Sequence, residues 1–173
     1  MFTVPVSALS NAAVSYSTPV TDKEASKTAL PQSSCDNPPV STAIVYCEAN
    51  FGAIDGKTAN GLVRQSERYK ILSVIDSTKA GLDAGMVLDN EPNAIPICRD
   101  LASALTLAGT VPDYFIFGMA PSSGMLSIHE RSLLLEAMSH GMSIVNGLHE
   151  FLNNDPVFQA ACEAHQVEII DVR

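Results

Sequence analysis

Basic residues are scarce in this chain. Ten Lys and Arg stand against nineteen Asp and Glu in 173 residues, a formal net charge of −9. No basic stripe or cluster is present, so a nucleic-acid surface is not expected. An acidic surface also argues against docking on anionic lipid, so no membrane partner is expected. No run of eighteen apolar residues exists, which predicts no membrane span. The amino terminus lacks the basic-then-apolar layout of a secretory signal and the Arg-rich pattern of a transit peptide. The four cysteines, Cys35, Cys47, Cys98 and Cys162, are scattered with no CxxC. They read as free thiols in a reducing cytoplasm. No His, Cys and acid set has metal-ligand spacing, so no metal site is predicted.

What is present divides in two. Residues 1–40 are rich in Ser, Thr, Ala and Pro with few large apolar side chains. Such a stretch buries too little apolar surface to offset its ordering entropy, which predicts a disordered or weakly ordered leader. From residue 41 short apolar runs alternate with helical patterns. Strands are expected at TAIVYC (42–47), YKILSVID (69–76), IPIC (95–98), DYFIF (113–117), 142–145 and VEIIDV (167–172). A helix is expected near 57–67. Asp100 and Gly109 bracket another. The capping box Ser127-x-x-Glu130 opens a third, and Asp155-Pro156 a fourth. The stretch with Gly81, Gly85 and Pro92 reads as a long polar loop. Short apolar strands alternating with helices imply an α/β fold: a Rossmann-like, doubly wound parallel sheet with helices on both faces, over residues 41–173. Ligands of such sheets bind beyond the carboxyl ends of the strands, so the loops there are the candidate site.

The first loop ends in Gly56-Lys57-Thr58, the tail of a phosphate-binding G-x-x-x-x-G-K-[ST]. The first glycine is missing, because Phe51 stands there and Gly52 comes one position late. A helix N-terminus with Lys57 nearby remains able to hold a carboxylate. Gly52, Gly56 and Gly61 do not meet G-x-G-x-x-G, although Asp76 ends the second strand where a ribose-binding acid belongs. Loop 118–127 offers Gly118 and Gly124 for close backbone approach, and Ser122 and Ser123 as hydroxyls. No G-x-S-x-G elbow is present for a serine nucleophile. Loop 146–150 places Asn146, His149 and Glu150 after a strand, with His149 a candidate general acid or base. His129-Glu130 is not a zinc HExxH, since Arg131, Ser132 and Leu133 follow.

Five stretches carry a resemblance: EANFGAIDGKTANGLVR (48–64), SVIDSTKAGLDAG (73–85), IPICRDL (95–101), PDYFIFGMAPSSGML (112–126) and IVNGLHEFLNNDP (144–156). Together they resemble the N-terminal domain of a two-domain bacterial family, long labelled only a domain of unknown function, that includes D-glutamate N-acetyltransferases. The resemblance implies a Rossmann-like half followed by a P-loop half, the latter outside this chain. It also implies acetyl-CoA as acyl donor, a small acidic metabolite as partner and a cytoplasmic enzyme, inactive as this half alone. Asn50, Gly56, Lys57, Asp76, Thr78, Gly124, Asn146, His149 and Glu150 match the family's motifs. Side-chain chemistry assigns His149 and Glu150 to catalysis, and the others, with Thr58, Ser122 and Ser123 of the same loops, to substrate. Gly52, Asp55 and Pro121 also match the family's motifs. Apolar surface left by a missing half implies a possible homo-oligomer. The rival expectation is a non-catalytic domain that binds a nucleotide, CoA or metabolite, or docks on a partner.

Overall fold

The computed structural model describes residues 40–121 and 123–172. The expected leader and Ser122 therefore lie outside the described residues, apart from Val40. Among the described residues six strands form one sheet: β1 (Ser41–Tyr46), β2 (Tyr69–Ile75), β3 (Ile97–Cys98), β4 (Tyr114–Phe117), β5 (Ser143–Asn146) and β6 (Ile169–Asp171). Their order across the sheet is β3-β2-β1-β4-β5-β6, and every pair is parallel. That is the doubly wound order, and it reverses between β1 and β4.

Parallel neighbours need crossovers, and helices supply them: α1 (Lys57–Arg64), α2 (Ala84–Asp89), α3 (Leu101–Ala108), α4 (Ile128–Ser139) and α5 (Pro156–His165). Alternation along β1 shows how the sheet buries both faces. Ile44 and Tyr46 join a core with Leu101 and Ala104 of α3, Leu134 and Met138 of α4, and Phe158 of α5. Ala43, Val45 and Cys47 point the other way, into a core with Ala59 and Val63 of α1 and Ala84 of α2. A strand buried on both faces reads as a continuous apolar run, which TAIVY is.

Helix boundaries follow local chemistry. Asp100 accepts from Ser103 N–H at 2.8 Å to start α3, which stops at Gly109 in the left-handed region, φ 68°. Ser127 and Glu130 close their capping box at α4. Asp155 accepts from Val157 N–H at 2.8 Å, with Pro156 in the first turn of α5.

One expectation is corrected. The stretch read as a polar loop contains α2, capped by Asp83, whose side chain accepts from Met86 N–H at 3.0 Å. Gly85 sits inside this helix because a Cβ there would lie 2.3 Å from the Glu91 carbonyl oxygen. The glycine marks a close approach, not a loop.

Candidate functional site

The crevice between β1 and β4 is where a doubly wound sheet ordinarily receives a ligand. Here backbone hydrogen bonds run directly across it. Phe51 is wholly buried, 0% exposed, in place of a phosphate-loop glycine. A 3-10 turn, Ile54–Gly56, leads into α1, and the Gly118 carbonyl leaving β4 accepts from Ala59 N–H at 2.9 Å. The Asp55 carbonyl accepts from Ala120 N–H, also at 2.9 Å. The first turn of α1 is thus stitched to the end of β4. Glycine is required on both sides of the seam. A Cβ on Gly118 would lie 2.6 Å from Val45 Cγ1, and one on Gly56 would lie 2.2 Å from the Asn50 carbonyl oxygen. Lys57 and Thr58 stay exposed at the helix start, whereas Asn50 donates to the Glu48 carbonyl at 2.8 Å.

Asp76 ends β2 as expected, but faces inward. It is 0% exposed and accepts from Phe51 N–H at 3.2 Å, Thr78 N–H at 3.0 Å and the Thr78 hydroxyl at 2.6 Å. Lys79 Nζ lies 3.3 Å away. Burial alone would raise this carboxyl, yet the donors and Lys79 outweigh it and hold it below the ordinary aspartate range. With its lone pairs engaged, Asp76 locks loop 47–52 to loop 76–79 and is not presented to a ribose. Cys47, beneath it, is pushed up to about 12 by burial and by the Asp76 charge, so it is a thiol and not a nucleophile at neutral pH.

The loop after β5 is equally well held. Asn146 is buried and donates to the Glu150 carbonyl at 2.7 Å and to Asp171 Oδ1 at 2.8 Å. Glu150 accepts from Leu126 N–H at 3.0 Å and pairs with Arg131. Arg131 pairs in turn with Asp155 and lies over the Phe158 ring, 5.0 Å from its centroid. Glu150 is therefore a structural anion that ties the loops after β4 and β5 together. His149 is exposed, and its Cδ2 lies 3.5 Å from where a Gly124 Cβ would stand. The fold thus brings Gly124 and His149 together. The Ser123 hydroxyl accepts from Met125 N–H at 3.2 Å, shaping the same loop.

Residues not singled out from the sequence form a second feature at this end of the sheet. A cleft of about 510 Å³ opens between α3 and α4 above the ends of β1 and β2. Its buried floor includes Tyr46, Ile75 and Leu101. Glu48, Arg99, His129 and Glu136 line it above. Glu48 is oriented by Ser77, whose N–H donates to it at 2.8 Å and whose hydroxyl also reaches it. Burial, then the charges of Glu130 and Glu48, push the Tyr46 phenol well above its usual value, so it stays a neutral hydroxyl. The signals were faint: Arg99 directly follows β3, and His129, Leu133 and Glu136 repeat at helical spacing on one face of α4. Among the described residues no group of three His, Cys, Asp or Glu is arranged to hold a metal ion. None of the described helices is long and apolar enough to cross a membrane.

A family model described as a domain of unknown function (DUF1611_N), Rossmann-like domain, matches residues 77–173. The chain belongs to this family. A solved DUF1611 family protein from Anabaena variabilis ATCC 29413 is similar to it, at 30% identity and a TM-score of 0.68. That match covers 77% of this chain and 37% of the Anabaena chain. A D-glutamate N-acetyltransferase from a Pseudoalteromonas species is 34% identical over 59 residues, 34% of this chain and 18% of that protein. This DUF1611_N chain therefore spans well under two thirds of either relative. The likeness supports the Rossmann-like reading made from the alternating strands and helices.

Proposed function

We propose that this DUF1611_N chain is the Rossmann-like part of an N-acetyltransferase acting on an acidic D-amino acid of the D-glutamate type, with acetyl-CoA as donor. The observation that carries the reading is the 34% identity to the D-glutamate N-acetyltransferase. The chemistry sets the requirements. The ammonium must lose a proton before its nitrogen attacks the thioester carbonyl, and the CoA thiolate then leaves and is protonated. A base near the amine is needed, and His149, exposed beside Gly124, has the chemistry for it. Glu150 serves by position, through Arg131 and the Leu126 amide. Lys57, Thr58 and Ser123 supply polar contacts for the substrate, while Asp76, Thr78 and Asn146 fix the loops that carry them. The CoA phosphates fall to a P-loop domain elsewhere in the longer protein, and the reaction is cytoplasmic.

The test uses the protein expressed with whatever coding sequence follows Arg173. Acetyl-CoA and D-glutamate should give N-acetyl-D-glutamate by mass spectrometry, with one CoA thiol released per product. His149→Ala should lower kcat about 100-fold or more while circular dichroism stays unchanged. Wild-type turnover in that variant would remove His149 from the reaction.

A second reading is favoured by one observation: Asp76, Asn146 and Glu150, three polar side chains at the strand ends, are all engaged in holding loops. A domain built this way serves equally as a non-catalytic metabolite-binding or docking module. Calorimetric binding of D-glutamate or acetyl-CoA without any thiol release would favour it.

A further inference from the structure

The cleft between α3 and α4 adjoins the loop-based site, sharing Glu48 and Ser77 with the loops after β1 and β2, and its composition is that of a ligand site. Its floor is apolar and buried, which strengthens any ionic contact made above it. Its size falls among pockets for small metabolites. It lies at the carboxyl ends of β1 and β2, where open α/β sheets hold their ligands. Its charges are mixed. Asp100 is engaged in capping α3, accepting from Ser103 N–H at 2.8 Å. Glu48 is fixed in place by Ser77. Among the described residues, Arg99 and Glu136 make no side-chain hydrogen bond or ion pair. Arg99 is exposed beside the cleft, where its charge acts on the neighbouring Asp100 and its guanidinium stays open to a ligand.

We infer that this cleft binds an α-amino acid by both of its charged groups, the ammonium by Glu48 and Glu136 and the carboxylate by Arg99. The guanidinium fork matches a carboxylate bidentately. The carboxylates around it disfavour a diacid without an amine and favour a ligand that brings a cation. The apolar floor takes the side-chain carbons. The assignment deepens the acyl-transfer reading and rests on it for D-glutamate as the amino acid.

Three probes separate the groups recognised: D-glutamate, glutarate (no amine) and 4-aminobutyrate (no α-carboxylate). Calorimetry of the 173-residue chain should show D-glutamate binding at least about tenfold tighter than either analogue. Arg99→Gln and Glu48→Gln should each weaken it about tenfold or more, with circular dichroism unchanged. Equal binding of glutarate, undiminished binding in either variant, or no binding of D-glutamate by the wild type overturns the assignment. Turnover separates the two ideas. Binding as expected with no acetylated product sinks the acyl-transfer reading and leaves the cleft standing. Undiminished product formation in Arg99→Gln does the reverse.

Discussion

A buried carboxylate is costly unless its oxygens are satisfied, and Asp76 meets that cost with donors from two loops and one lysine. Replacing it leaves the Phe51 amide without its acceptor in a fully buried setting. Asp76→Ala should destabilise by about 2–4 kcal/mol in urea unfolding. Asp76→Asn keeps an acceptor and should lose less. A loss under about 0.5 kcal/mol in the alanine variant would mean that the loops hold without it. Residue scale is also where the sequence is least explicit. Asp at a strand end signals either a ribose ligand or a turn, and only the burial of Phe51 decides between them. Glu150 beside His149 reads as a catalytic pair, and the structure adds an ion pair to Arg131, nineteen residues earlier. A contact of that kind leaves no periodic trace along the chain.

At the scale of elements the sequence was far more legible. The six strands, α1 and the three later helices all lie where alternation and caps place them, with shifts of no more than three residues at their ends. The miss was α2, six residues long, with a glycine inside and no room for an apolar stripe. Periodicity needs two or three turns to be heard. The junction of α4, α5 and the loop after β5 was invisible for another reason, since it depends on one side chain. Arg131 joins Glu150, Asp155 and the Phe158 ring at once. Arg131→Met should lower stability by about 2–3 kcal/mol, because it leaves two partly buried carboxylates uncompensated. Arg131→Lys should recover little, because an ammonium lacks the planar fork that reaches both acids. Urea midpoints of the two variants check this, and full recovery by lysine would show that charge alone suffices.

For the molecule as a whole, pH is the most direct probe. Asp76, Asp83, Asp89, Asp100, Asp113 and Asp155 all sit below the ordinary aspartate value. Except at Asp76, where burial opposes the donors, the largest cause is a hydrogen bond to the carboxylate. The unfolded chain takes up these protons first, near pH 3.9. The stabilisation is complete above that value and is lost as pH falls through the lower folded values. Acid also relieves the net charge of −9, which acts in the opposite direction but is screened by salt. Calorimetric Tm should thus be nearly level from about pH 7 to 5 and fall steadily below about pH 4. A Tm unchanged at about pH 3 would show that charge relief dominates.

The reversal of strand order also governs how the chain is made. β1 is central in the sheet yet comes first of the six strands, and its two neighbours are β2 and β4. One edge is covered early, when Tyr69–Ile75 pairs with it. The other waits until Tyr114–Phe117 has left the ribosome. Throughout that interval the nascent polypeptide carries an open apolar strand edge, a template for pairing with other chains. An aggregation-prone interval therefore falls during synthesis, between residues 46 and 117, and yield should respond to translation speed through that window.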